Sequence, residues 1–235
     1  MAVAKRELGR TKLQVTTLGY GAMELRGAPR ARDITEAQAE TILNKVLDAG
    51  INYIDTSIDY GLSEERIGRY ISHRRAEYYL ASKCGCLVGA PPAPRGQRGA
   101  HVFTRDNVVA GVEQSLVRMK TDHLDVVQFH ASPSRQTLEE HGALEALLEL
   151  KEAGKVRFIG MSGTLPHLMD HIAMGAFDGL SDPVLGGRAR TRSGDRHCRS
   201  EGRGHRHSRW CRKGSTGRGE AGRVAMGALA PGTSR

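Results

Sequence analysis

The sequence predicts an α/β fold built on a parallel sheet that curves toward a barrel, and three observations carry that reading. Short apolar runs of strand length recur at residues 51–57 (INYIDTS), 78–84 (YYLASKC), 124–130 (LDVVQFH) and 156–162 (VRFIGMS). Stretches of helical period separate them, and strict βαβα order implies parallel strands joined by right-handed crossovers. Asp55, Tyr60, Lys83 and His130 stand at or just past the carboxyl ends of three successive runs. Barrel enzymes gather their reactive groups on one face by that placement. An open doubly wound sheet satisfies the same element order. It is less well matched by the turn Gly19-Tyr20-Gly21-Ala22-Met23-Glu24, which lacks the third glycine and the opening helix of a dinucleotide fingerprint.

In chain order, residues 5–16 (KRELGRTKLQVT) read as a hairpin around Gly9-Arg10-Thr11, and residues 17–23 (TLGYGAM) as a first buried strand. A helix follows in which Ala39, Ile42, Leu43, Val46 and Leu47 share a face, Thr35 and Gln38 form a capping box and Gly50 is the stop. The second strand, 51–57, leads to a helix beginning near Ser63 with Ile67, Tyr70 and Ile71 as its apolar positions. Strand 78–84 leads through a Pro/Gly loop, 87–100, to a helix near Thr104 that turns Val108, Val112, Leu116 and Met119 inward. Strand 124–130 precedes a helix from about Thr137, with Leu144, Leu147 and Leu148 inward and Gly154 as its stop. Strand 156–162 and a short helix over 165–174 complete five units, and the pattern dissolves after Phe177-Asp178-Gly179-Leu180.

The formal charge of +9 and the pI of 9.7 suggest a nucleic-acid partner for the chain as a whole. Residues 1–180, however, hold equal numbers of basic and acidic side chains, so the entire excess lies in 181–235. That segment contains no Ile, Phe or Tyr, is crowded with Arg and Gly and shows neither structural period, so it is read as a disordered basic tail after a folded unit at 1–180. Weak, salt-sensitive nucleic-acid binding through the tail is one alternative function. A non-catalytic barrel fragment completed by a partner chain is another.

No run approaches the length of a membrane span, and residues 1–10 lack the apolar centre of a targeting segment. Cys84, Cys86, Cys198 and Cys211 are too few and too unevenly placed for a disulfide framework, which favours a cytoplasmic setting. Cys84-Gly85-Cys86 is read as incidental, having no neighbouring ligand in sequence. His197, Cys198, His205, His207 and Cys211 match the spacing of no zinc module, so no metal is expected.

The segments ELGRTKLQVTTLGYGAM, GINYIDTSIDYGLSEERIG, LASKCG, SLVRMKTDHLDVVQFH and ELKEAGKVRFIGMS, taken in order, resemble the aldo-keto reductase family over residues 5–180. The resemblance implies an incomplete (β/α)8 TIM-type barrel that reduces a small carbonyl substrate with NADPH. It places a catalytic tetrad at Asp55, Tyr60, Lys83 and His130, with Gly21, Ala22, Met23 and Asp55 beside the cofactor and Ser162 near the nicotinamide carboxamide. Position 163 is Gly where the family usually has Asn, and the late loops that hold the cofactor phosphates find no counterpart before the composition changes. A change that abrupt is what a shifted reading frame in a GC-rich gene produces.

The chemistry has its own logic. Hydride addition to a carbonyl builds charge on oxygen, which calls for a positioned proton donor. Tyr60 is the candidate acid, Lys83 the cation expected to lower its pKa, Asp55 the anchor of Lys83, and His130 the group that orients the substrate oxygen. Singly, each has a structural reading as a turn residue, a cap or a solvated side chain. Together, at matching strand ends, they read as a catalytic set.

Overall fold

The computed structural model describes residues 2–28, 32–90, 97, 99–183 and 208–211. The chain opens with the antiparallel hairpin β1 (Lys5–Glu7) and β2 (Gln14–Thr16). Strands β3 (Tyr20–Gly21), β4 (Tyr53–Asp55), β5 (Tyr79–Cys84), β6 (Leu124–Phe129), β7 (Val156–Ser162) and β8 (Gly179–Pro183) then run parallel, each beside its predecessor. The crossovers hold α1 (Glu36–Asp48), α2 (Ser63–Tyr70), α3 (Arg105–Met119), the pair α4 (Arg135–Glu140) and α5 (Ala143–Glu152), and α6 (Leu168–Met174). The parallel strands curl into a half-barrel, in keeping with the incomplete (β/α)8 expectation.

Side-chain alternation gives the sheet two unlike faces. Ile54, Leu80, Val127, Phe129, Ile159 and Met161 pack against the helices with Leu43, Ile67, Val112 and Leu147 in one core cluster. Tyr53, Ala81 and Val126 face the other way and pack with Leu8, Leu13 and Val15 of the hairpin. Each of those inward residues lies two positions ahead of a polar one on the same face: Tyr53 before Asp55, Ala81 before Lys83, Val126 before Gln128. The hairpin therefore plugs the amino-terminal end of the half-barrel, and the polar layer lies toward the carboxyl end.

Local chemistry accounts for most element boundaries. Thr35 accepts from Gln38 N at 3.2 Å while the Gln38 side chain accepts from Thr35 N at 2.9 Å, the expected capping box of α1. Thr104 caps α3 through Asn107 N. Buried Glu64 ties α2 to its neighbours by accepting from Ser82 of β5 and Ser115 of α3, each at 2.7 Å.

Several expectations are corrected. The strand expected over 17–23 pairs only at Tyr20–Gly21. Ala22–Arg26 forms a 3-10 turn instead, because the Ser63 hydroxyl donates to Ala22 O and the Arg66 guanidinium to Leu25 O. The helix expected from Thr137 is two helices, the first begun by a Ser134 cap and the second begun after Gly142, whose φ of +67° departs from helical geometry. Leu148 faces solvent, and α5 buries Ala143, Ala146, Leu147 and Leu150. The helix expected over 165–174 begins at Leu168.

The pattern also continues past residue 180, since β8 pairs with β7 through Ser162 and Ser181. Within the segment expected to be a disordered tail, β9 (Ser208–Cys211) pairs antiparallel with β8. The remainder of that segment lies outside the described residues. No helix among the described residues is long and apolar enough to cross a membrane.

Gly68 marks the closest helix crossing. A Cβ there would lie 2.1 Å from Arg118 O and 2.8 Å from Met119 Cα, both backbone atoms of α3. Gly68→Ala is expected to cost about 1–3 kcal/mol through overpacking, measured by urea denaturation; an unchanged midpoint would contradict the crossing.

Candidate active site

The polar layer starts from Lys83, which points from β5 into the half-barrel and is buried. Its Nζ donates to Asp55 Oδ2 at 2.7 Å and to Thr56 O at 2.7 Å. Asp55 Oδ1 accepts from Gln128 Nε2 at 2.9 Å, and Gln128 Oε1 accepts from Ser181 Oγ at 2.6 Å. Asp55, Gln128 and Ser181 thus come from the alternate strands β4, β6 and β8, the way successive layers fill a closed (β/α)8 barrel. Burial works against the Lys83 ammonium, yet Asp55 and Tyr60 outweigh it and hold the pKa above the ordinary lysine value.

Tyr60 follows β4 in a tight loop in which Tyr60 N donates to Ser57 O and Tyr60 O accepts from Ser63 N. Lys83 Nζ lies 5.0 Å from its ring centroid. Burial raises the phenol pKa and Lys83 offsets only part of the rise, while Asp55 and Asp59 add to it. The expectation that Lys83 brings this phenol below its ordinary value is therefore corrected. Desolvation exceeds the attraction, and Tyr60 stays protonated at neutral pH.

His130 follows β6, and its ring meets that of Tyr60 edge-on with centroids 6.2 Å apart. Cys86 Sγ lies 3.1 Å from His130 Nδ1. Burial, with Asp59 second, pushes the Cys86 thiol up to about 12, so sulfur keeps its proton at neutral pH.

The four tetrad candidates, Asp55, Tyr60, Lys83 and His130, thus share one end of the half-barrel. Gly21 pairs with Asp55 across β3 and β4, and a Cβ on it would meet nothing within 4 Å. Ala22 is buried beneath it and Met23 is half-buried. Ser162 ends β7 one residue past the Phe129–Met161 pair, level with His130 on the rim, without a contact to the tetrad among those described. A Cβ at Gly163 would lie 3.1 Å from Met161 and 3.2 Å from His171 Nδ1, so an asparagine there would press on neighbouring side chains.

Sequence reasoning missed Gln128, Ser181, Cys86 and His101. Gln128 carried a signal, because strict alternation in LDVVQFH puts it on the face of His130. Ser181 carried none, lying where the pattern had dissolved. The reading of Cys84-Gly85-Cys86 as lacking partners is corrected for Cys86, while Cys84 belongs to the helix-side core. His197, Cys198, His205 and His207 lie outside the described residues.

Residues 17–181 match the model of the Aldo/keto reductase family. The oxidoreductase YqkF of Bacillus subtilis is 32% identical over 171 residues, which are 70% of this chain and 50% of its own length. L-galactose dehydrogenase of Arabidopsis thaliana is 31% identical over 186 residues, 74% of this chain and 54% of its own. Among solved structures, the holo form of the aldo-keto reductase AKR11C1 from Bacillus halodurans superposes with a TM-score of 0.61 at 31% identity, covering 73% of this chain and 54% of that one. PA4992 from Pseudomonas aeruginosa gives 0.59 at 32%, covering 68% and 60%. The chain spans about half the length of the curated relatives it matches.

Tyr20, Tyr60, Tyr78 and Lys83 all have pKa values raised in the fold, Tyr20 and Tyr78 by burial from 10.0 to about 12. Groups raised on folding lend stability that is complete below their unfolded values and is lost as pH climbs through the folded ones. The urea midpoint is expected to fall as pH climbs from 10 toward about 12, and Tyr78→Phe to flatten that fall. A level profile through this window would refute the assignment.

Proposed function

The chain belongs to the aldo/keto reductase family, and on that premise we propose that it is an NADPH-dependent oxidoreductase that reduces the carbonyl of an aldehyde or ketone to an alcohol. One observation carries the reading: a buried ammonium held by Asp55 and Thr56 stands beside a protonated phenol. That pair can deliver a proton to an oxygen and stabilise the phenolate left behind.

In this reading Tyr60 donates its hydroxyl proton to the substrate oxygen as negative charge develops there. Lys83 faces the resulting phenolate, and Asp55, itself held by Gln128, keeps the ammonium charged and aimed. His130 hydrogen-bonds the same oxygen and fixes its angle. When bound, NADPH supplies the hydride. The open ground over Gly21, the turn at Ala22 and Met23, and Ser162 on the rim fit the nicotinamide end of that cofactor. Gly163 leaves the carboxamide to Ser162.

Titration of the purified chain with NADPH, followed by cofactor fluorescence, is expected to show saturable binding, and a panel of aldehydes and ketones to reveal NADPH oxidation. Tyr60→Phe is expected to lower kcat by about 10²–10⁴-fold, the usual contribution of a general acid, while NADPH binding persists. Absence of cofactor binding, or full turnover in Tyr60→Phe, would overturn the proposal.

A further inference from the structure

Three ligand atoms of the kind that hold transition metals converge at the mouth. Cys86 Sγ, one ring nitrogen of His101 and one of His130 all lie within 4.8 Å of one another. Their arrangement is built into the backbone. Cys86 and His101 face each other across an antiparallel bridge, flanked by hydrogen bonds from Leu87 N to Ala100 O at 2.9 Å and from Val102 N to Gly85 O at 2.8 Å. Asn107 clamps that bridge from behind, donating to Cys86 O at 3.1 Å and Val102 O at 2.8 Å and accepting from Val88 N at 3.0 Å. Asp59 stands beside the set, with its Oδ1 3.8 Å from His130 Nδ1 and accepting from Ser57 Oγ, which is itself 3.9 Å from Cys86 Sγ.

The geometry points to a zinc-binding site formed by Cys86, His101 and His130, with the fourth position left to solvent. One thiolate and two imidazoles form a borderline-soft donor set, which suits Zn²⁺ and disfavours Mg²⁺ and Ca²⁺. Tetrahedral zinc with bonds of about 2.0–2.3 Å spaces its ligand atoms roughly 3.5 Å apart. The Cys86–His130 pair, at 3.1 Å, is already near that spacing, and a turn of the half-buried His101 ring brings in the third. Binding displaces the Cys86 thiol proton to solvent as the sulfur–zinc bond forms, and zinc takes one ring-nitrogen lone pair of each histidine.

The consequence for turnover rests on the reductase reading above. With zinc bound, His130 is locked into the metal site and a divalent cation stands at the mouth where the carbonyl must enter. Zinc occupancy therefore inhibits reduction, and its removal restores it.

The test uses the full chain, stripped with EDTA and titrated with Co²⁺ as a spectroscopic stand-in for zinc. Intense visible bands of tetrahedral Co²⁺ and a near-ultraviolet thiolate-to-metal charge-transfer band are expected, both displaced by Zn²⁺. Cys86→Ser, which keeps Cys84, Cys198 and Cys211, should lose the charge-transfer band. His101→Gln should weaken Zn²⁺ binding at least about tenfold, the least that losing even an outer-shell partner costs, with unchanged circular dichroism in both variants. Weak octahedral bands, or a charge-transfer band retained in Cys86→Ser, would overturn the site. These readouts need no turnover, so a chain that fails to oxidise NADPH leaves them decisive. In a chain that does, zinc should inhibit wild type and spare His101→Gln, and equal inhibition of both would overturn the regulatory role.

Discussion

A lysine ammonium buried inside a parallel sheet is the constraint around which the rest of this molecule is arranged. A charge taken out of water must be matched where it lies, since removing one partner of a buried pair typically costs about 3–5 kcal/mol. Here the match is Asp55, backed by Gln128 and, through it, Ser181. The electrostatic requirement of one side chain therefore reaches across β4, β5, β6 and β8. Curling the sheet and neutralising Lys83 are the same structural act, because only a concave surface lets side chains from alternate strands meet.

The opposite end of the same surface has no such demand, and the hairpin residues Leu8, Leu13 and Val15 fill it with apolar volume. This division explains why the chemistry lies toward the carboxyl ends of the strands. Polar groups follow their apolar neighbours by two positions on β4, β5 and β6, so each strand carries a dry half and a charged half. On the outer face the helices bury mainly hydrocarbon, and the buried carboxylates there are matched locally, Glu64 by Ser82, Ser115 and Arg118 and Asp125 by Arg75 and Arg157.

At the mouth, burial and charge compete, and burial prevails on the groups that matter. It keeps Tyr60 and Cys86 protonated at neutral pH although Lys83 draws both the other way. A protonated phenol is the state a proton donor needs, and the protonated thiol lies 3.1 Å from His130 Nδ1. The same thiol and imidazole are what a soft cation would claim, so the groups that orient His130 are also those through which it can be sequestered.

By itself the sequence determined the alternation of strands and helices, the cap at Thr35, the strand at 156–162 and the four reactive residues at strand ends, because periodicity and capping act within a dozen residues. It could not decide where β3 stops, that α4 and α5 part at Gly142, or that Ser181 joins the interior, since those involve partners 36 or more residues away, as the Ser63 bond to Ala22, the Arg105 bond to His141 and the Ser181 bond to Gln128 show. Nor could it weigh the Tyr60 pKa, whose direction follows from the depth of burial, or place Cys86 against His101 and His130. Those are distances between strands and loops, and only the curled sheet sets them.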